Sequence, residues 1–498
     1  MNRRCWYERN TSSWSRLSVV VLVAVSLLGS TAHASDDKQG GHWYDWFWPL
    51  GAPAPVQALK HEYVPFKGLG EIPHRPKLMI ELGDAFLGTG RLNPGFQVPI
   101  IGAVWQPRLW SYLISRTALQ SFDNGAAGAD RETEIANRTD LFVNLQLTGT
   151  EKILLGLRPL DANSFPRFTK YTFSGANEGF NNELNLDVEA LFFEGDVGSL
   201  FPVLDEKGIT PIDFGFSVGR QAITFQEGIL INDTVDAIGF NRNNLTFPGA
   251  SNLRFSGMWA WDRLDRNDRV RGSNANMLAL FTAIDSHVST FSVDSIYVAD
   301  NAADGSGDAF YLGLSAIQRM KVLGRLGVST AYRINSSFAL DDEISGNVVG
   351  DGTLLTGEFS FTPHGSHDIA YFNPYVAIGN FTQAGREAIV GGPLANTGIL
   401  FASANFSTFG AEVNPFVDDD IGFAIGYQAF WQHGRRNLTL ELATKKDYSG
   451  SGNDSVAIGY QLQQAVAQYV QIQIESFYTY NDVISNGAGA RFEVQVVY

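Results

Sequence analysis

From about residue 77 to the C-terminus, apolar and polar residues alternate in segments of roughly 8–14 residues. The pattern is clearest late in the chain. Ile421, Phe423, Ile425, Tyr427, Ala429 and Trp431 share one parity, and Gly422, Ala424, Gly426, Gln428 and Gln432 the other. Leu438, Leu440 and Leu442 oppose Asn437, Thr439 and Glu441. Val456, Ile458, Tyr460 and Leu462 oppose Gly459, Gln461 and Gln463, and Val470, Ile472 and Ile474 oppose Gln471, Gln473 and Glu475. Earlier, Leu141, Val143, Leu145 and Leu147 oppose Asp140, Asn144 and Gln146. Ile153, Leu155 and Leu157 oppose Lys152 and Arg158; Leu184, Leu186 and Val188 oppose Asn185, Asp187 and Glu189. A period of two puts successive side chains on opposite faces of a strand. Clusters of Gly, Asn, Asp and Ser separate the segments, as turns require.

A soluble β-sandwich also alternates, so three further features decide the reading. The polar face is rich in Gln, Glu, Arg and Asn, as a wet lumen needs. Tyr and Trp recur at segment ends, where an aromatic girdle would lie. The chain ends inside an alternating strand, with Phe492, Val494, Val496 and Tyr498 opposing Glu493, Gln495 and Val497. The expectation is an all-β fold, a transmembrane antiparallel β-barrel of about 18 strands (16–20) around a polar lumen. The weakest strand assignments are 96–106 and 232–241.

The N-terminus reads differently. Arg3, Arg4, Arg9 and Arg16 precede Leu17–Gly29, an apolar stretch of 13 residues, followed by Ala32-His33-Ala34. That is the layout of a cleaved signal peptide, 1–34, too short for a spanning helix. An uncleaved anchor is the alternative. Residues 35–76, with Trp43, Tyr44, Trp46, Phe47 and Trp48 ahead of Pro49, Pro53 and Pro55, lack strand alternation. They form either a periplasmic aromatic extension or plug, or a spacer. The barrel is expected over 77–498.

Composition agrees. Charged residues are only 18%, aromatics 12%, and 51 residues are Gly, where a soluble protein carries about 25% charge. Cys5 is the single cysteine and lies before the apolar stretch. A mature chain without cysteine has no disulfide, iron–sulfur cluster or thiolate zinc site, and no metal or other cofactor is expected. Cleavage would leave 32 basic against 51 acidic residues, a balance of −19. That balance argues against nucleic acid as a partner. The expected partners are outer-membrane lipid and lipopolysaccharide, the barrel assembly machinery and a polar solute.

Val218-Gly219-Arg220-Gln221, continued by Phe225-Gln226-Glu227-Gly228, Asn232-Asp233 and Phe240-Asn241-Arg242-Asn243, resembles the alginate-export type of outer-membrane porin. The resemblance implies a strand closing on Gly-Arg-Gln, an acidic turn with glycine, and a strand opening on Asn/Asp. It covers about 25 residues closely and singles out Gly219, Arg220, Gln221, Gly228 and Asp233. A polyuronate exporter needs a cationic lumen. Here Lys152, Arg158, Arg254, Arg325 and Arg333 share the polar parity with Asp140, Asp187, Glu189, Glu358, Glu441, Glu475 and Glu493, which makes a mixed lumen. These residues either contact solute or cross-link the wall as facing ion pairs. Arg220 shares parity with Phe214, Phe216 and Val218, the lipid side. Either Gly219 bulges and turns it inward, or the strand reaches the interface there.

Other polar clusters read as connections. Arg263, Arg266, Arg269 and Arg271 interleave with Asp262, Asp265 and Asp268 in what should be a solvated loop. Asp418-Asp419-Asp420 lacks the spacing of a calcium loop. His364 and His367 flank Ser366 in a turn, and no hydrolase or phosphate-loop motif occurs, so no enzyme is expected. The function expected is an outer-membrane channel for passive diffusion or export of a polar solute, such as a saccharide or carboxylate. The alternatives are an outer-membrane scaffold or receptor barrel and a soluble exported β-protein.

Overall fold

The computed structural model describes residue 75 and residues 77–498, apart from 89–92, 100, 125–130, 162–167, 176, 206–211, 267–274, 301–306, 323–325, 341–348, 364–365, 388, 405–407, 412, 433 and 451. The expected signal peptide and nearly all of 35–76 lie outside the described residues, as do Arg325, Arg269, Arg271, Asp268 and His364.

Three short strands come first: β1 (Ile80–Leu82), β2 (Phe96–Gln97) and β3 (Val104–Trp105). The wall proper starts with β4 (Arg108–Asp123) and β5 (Glu132–Gln146). β6 (Lys152–Leu157) and β7 (Thr169–Ser174) pair with successive stretches of β5, so together they cross the wall once. β8 (Gly179–Asn181) pairs with β7 and β9 (Val188–Asp196) with β6, which makes the next crossing. Then follow β10 (Gly215–Phe225), β11 (Ile231–Phe247), β12 (Ala250–Asp262), β13 (Asn276–Ser286) and β14 (Ser289–Ala299). They lead to β15 (Ala309–Val322), β16 (Leu326–Ala339), β17 (Gly352–Phe361) and β18 (Ile369–Gly379). The last five are β19 (Asp420–Trp431), β20 (Arg436–Asp447), β21 (Ser455–Ala465), β22 (Val470–Asn481) and β23 (Gly487–Val497).

Each strand from β10 onward pairs antiparallel with the next, and β23 closes on β4 from Ala488↔Asp123 to Val497↔Ile114. With the two interrupted crossings counted once each, the barrel has 18 strands, the number the alternation predicts. β1 pairs with β4 from Ile80↔Ser111 to Leu82↔Leu109, continuing the line of β23 past its end. The doubtful segment 96–106 is only the two-residue ladder β2–β3, outside the barrel sheet. The doubtful segment 232–241 lies inside the long strand β11, which pairs with β12 from Asp236 onward.

The two parities separate as expected. Leu278 (63% exposed), Ile458 (60%) and Phe240 (52%) stand on the outer face, while Ala118, Ala424 and Ala443 are fully buried inside. A closed sheet satisfies every strand edge, and an outward apolar band suits hydrocarbon. The two ends differ. One carries short links, such as 248–249, 287–288 and 432–435, and the C-terminal Tyr498. The other carries long connections, including 263–275 and 380–419.

Candidate functional site: a lumen narrowed by a hairpin and a long loop

The first narrowing element grows out of the wall itself. β10 pairs with β9 only as far as Arg220↔Leu191, and β11 pairs with β12 only as far as Asp236↔Asp262. Beyond that level β10 and β11 pair with each other and with no other wall strand, up to Phe225↔Ile231. The hairpin 221–235 therefore leaves the wall, and its tip lies against the inner faces of β13 to β16. Phe225 stacks on Phe281 with centroids 3.3 Å apart. Gln226 Nε2 donates to Asp294 Oδ2 at 2.6 Å, and Glu227 lies 3.5 Å from Arg333. Gln226, Glu227 and Gly228 are all left-handed (φ 54°, 55° and 80°), a turn for which the two non-glycine residues carry strain.

Arg220 marks the point of departure. Its guanidinium pairs with Asp236, Nε to Oδ1 at 2.8 Å, and Nη1 donates to the Val188 carbonyl at 2.8 Å. Pairing with both neighbours runs unbroken through Gly219, so no bulge turns Arg220 inward. It keeps the parity of Val218, and its charge is met across the strand. Gly219 has φ +120°, and a Cβ there would stand 2.3 Å from the Leu191 carbonyl oxygen. Only glycine fits that approach. Gln221 and Asp233 turn into the protein and are buried.

The second element is the loop 380–419 between β18 and β19. Its first part adds to the free edge of the hairpin: the Ala384 amide donates to Leu230 O, Asn232 N to Gly385 O, and Glu387 N to Asn232 O. The Arg386 amide donates to Asp265 O at 2.7 Å, and Asp265 N donates to Asp233 Oδ2. Glu387 then reaches Arg158 beyond β6 at 2.8 Å, and Ile389 packs with Ala118 and Ala136 of β4 and β5. The loop returns along β20 to β23. Glu441 takes the Ile399 and Leu400 amides at 2.9 and 2.8 Å and the Tyr371 hydroxyl. Arg491 lies 5.2 Å over the Phe409 ring, and Lys445 donates to the Asn414 and Phe416 carbonyls. Leu394, Leu400, Phe401 and Val413 form a core with the small inward residues Ala424, Ala443 and Ala457. Small residues on the upper inner face make room for the loop.

The expectation that 263–271 is a solvated loop is corrected here for its described part. Leu264, Asp265 and Arg266 are 0–2% exposed. They are covered by loop 380–419, whose approach the local sequence does not reveal. Arg266 lies 3.5 Å from Asp300.

The charged lumen candidates fall into two groups. On the β23–β4–β5–β6 side the arginines are locked. Arg116 and Arg138 are register partners. Arg116 grips Glu493 at 2.6 and 2.9 Å, Arg138 holds Asp140, and Arg158 holds Asp140, Asp161 and Glu387. Arg491 pairs with Glu475 and Glu493. Lys152 pairs with Glu194, and the charge of Glu189 acts on Arg158. A recess of about 210 Å³ lies here, among Arg116, Gln461, Gln473, Glu475 and Arg491.

The β12–β16 side is looser. One register row runs Arg254–Ala283–Ser292–Ser315–Arg333 across five adjacent strands. Arg333 is 3% exposed and held by Glu358 and Glu227. The Arg254 side chain is 47% exposed, and its ion pair with Asp285 spans 3.9 Å. Above the row, under the hairpin tip, is a second recess of about 510 Å³. The sequence offered no signal for either narrowing element beyond the acidic-glycine turn, because contacts across a lumen have no local period.

Asp418–Asp420 closes the loop instead of holding a cation. Asp420 pairs with Lys445 at 2.9 Å, and Asp419 Oδ1 accepts the Gly379 amide at 2.7 Å. Burial and the neighbouring Asp419, Asp447 and Asp420 push the Asp418 carboxyl above its ordinary range. Among the described residues no group of three or more His, Cys, Asp or Glu side chains is placed to hold a metal ion. Asp368, next to His367, is taken by the Tyr427 hydroxyl and the Phe430 amide.

No protein-family model and no curated protein matches the chain. The fold does match solved structures. The outer membrane protein OpdK of Pseudomonas aeruginosa aligns with TM-score 0.52 at 11% identity, over 78% of this chain and 98% of that one. OccAB4 of Acinetobacter baumannii aligns with TM-score 0.51 at 8% identity, over 78% and 97%. OpdK with vanillate gives TM-score 0.52 at 11% identity, over 78% and 98%. At these identities the likeness establishes the fold alone, a closed antiparallel β-barrel.

Proposed function

We propose that this chain is an outer-membrane channel through which a small polar solute, in particular a carboxylate, diffuses passively. The observation that carries the reading is the narrowed polar lumen: loop 380–419 and hairpin 221–235 fold inside a closed barrel, and Arg254 stays exposed beside them. A guanidinium presents a donor fork that suits carboxylate. One structural neighbour holds vanillate, an aromatic carboxylate, which agrees with that chemistry. The long connections face outward and the short links and C-terminus face the periplasm, as in bacterial barrels. Assembly then runs through the barrel machinery and the outer surface meets lipid and lipopolysaccharide.

The likeness to alginate exporters rests on residues 218–243. They build the departing hairpin, a structural role that sets no solute. Most lumen arginines are neutralised by carboxylates, which disfavours a polyuronate. Purified protein in planar bilayers tests the channel reading. The expected result is stepwise conductance with a reversal potential favouring anions, reduced by millimolar vanillate. Absence of any conductance overturns it. The alternative, a receptor or scaffold, draws on the aromatic segment 43–48. Deleting 35–76 separates the two: a docking arm loses a partner and leaves conductance unchanged, whereas a plug raises it.

A further inference from the structure

The second recess has a chemistry of its own. Its floor is the register row between Arg254 and Arg333, with Ala283, Ser292 and Ser315 between them. Four strand spacings put the two arginine Cα atoms about 19 Å apart. The intervening small residues leave a saddle. Ser256 stands one row higher, paired in register with Phe281. Thr224, Phe225 and Glu227 of the hairpin tip form the roof. The recess, open to the lumen, has a volume of about 510 Å³, the size of a small-ligand site.

Three features of this lining point to one kind of ligand. Arg254 is the exposed cation, whereas Arg333 is already held by two carboxylates. The hydroxyls of Ser256, Ser292 and Ser315 line the recess, and among the described residues none makes a side-chain hydrogen bond. Phe225, packed flat on Phe281, supplies the apolar part of the roof. One anion-binding fork, three hydroxyls free to donate or accept, and one aromatic surface match a small carboxylic acid whose carbon chain carries hydroxyls.

We propose that the recess under hairpin 221–235 is a subsite for hydroxylated carboxylates of monosaccharide size, with the acid group on Arg254 and the hydroxyls on Ser256, Ser292 and Ser315. The inference rests on the channel reading above and adds the solute class. The locked arginines of β4 to β6 take no part in it.

The test uses the full-length protein in planar bilayers, with gluconate and hexanoate as probes. Both have six carbons and one carboxylate, and only gluconate carries hydroxyls. The wild-type channel should show current block by gluconate at a concentration about tenfold lower than by hexanoate, the value of one or two net hydrogen bonds. The triple variant S256A/S292A/S315A should lose that tenfold difference and keep its response to hexanoate. R254Q should weaken both probes together. Equal block by the two acids in the wild type, with normal conductance, overturns the subsite and leaves the channel standing. A persistent gluconate preference in the triple variant overturns the assignment of the serines. No conductance with any salt defeats the channel reading itself. Heat-modifiable migration of each variant shows that the barrel has folded, and the single variants S292A and S315A replace the triple one if it has not.

Discussion

The two sides of the lumen hold similar residues and use them differently. From β23 to β6, Arg116, Arg138, Arg158 and Arg491 are each met by carboxylates, and Glu387 from loop 380–419 completes the network. From β12 to β16, Arg254 keeps nearly half its side chain exposed, and the residues between it and Arg333 are small. The first arrangement anchors a loop. The second leaves groups for a solute. An inward arginine in a barrel is therefore a fastening or a contact according to whether a carboxylate already holds it.

Removing one member of the locked side gives the largest effect. Arg158→Ala takes one cation away from Asp140, Asp161 and Glu387 in a buried site, and a broken buried pair costs about 3–5 kcal/mol. The loop should loosen locally, seen as faster proteolysis within 380–419 and noisier conductance, while the heat-modifiable barrel persists. Unchanged protection of the loop would mean the network is ornamental. Glu441→Gln comes next. It keeps the size but weakens acceptance from two amides and the Tyr371 hydroxyl, about 1.5–3 kcal/mol for bonds to a charge. The same protease and conductance readouts apply, confined to the 396–411 end. On the open side, Arg254→Ala should cost under about 1 kcal/mol of stability and still lower the anion-over-cation permeability ratio. If Arg254→Ala destabilises the protein as much as Arg158→Ala, the contrast between the sides is lost.

The wall was legible in the sequence and the filling of the lumen was not. Strands such as 421–431 and 456–462 announce their faces because each residue's environment alternates with a period of two. Arg158, Arg254 and Glu475 could be placed inside by the same parity. Whether they meet solute or a carboxylate depends on partners far along the chain: Glu387 lies 229 residues from Arg158. Loop 380–419 carries no alternation, and its buried Phe401, Phe409 and Val413 look like any irregular connection. Asp265 and Arg266 misled for the same reason, since a charged turn reads as solvated until something covers it. The small inward residues Ala424, Ala443 and Ala457 were visible, yet a small residue facing a lumen can mean either open space or a packed neighbour.

Arg220 carries a small expected effect and the clearest use of the comparison. Parity places it on the lipid side, and the structure keeps it there with Asp236 beside it. A lone charge on that face costs about 2–4 kcal/mol at the bilayer midplane and about 0–1 near the interface. Arg220→Met leaves Asp236 alone, and Asp236→Met leaves Arg220 alone. Each should lower stability by about 1 kcal/mol in urea titration of the lipid-reconstituted protein, because both side chains remain partly exposed. The double variant replaces the pair by apolar side chains on an apolar face, and should recover most of the loss. Recovery in the double variant marks the pair as a neutralised charge at the point where hairpin 221–235 leaves the wall. If the double variant is as weak as the sum of the singles, the two residues act separately. In that case the Arg220 bond to the Val188 carbonyl, and not the ion pair, holds the departure point.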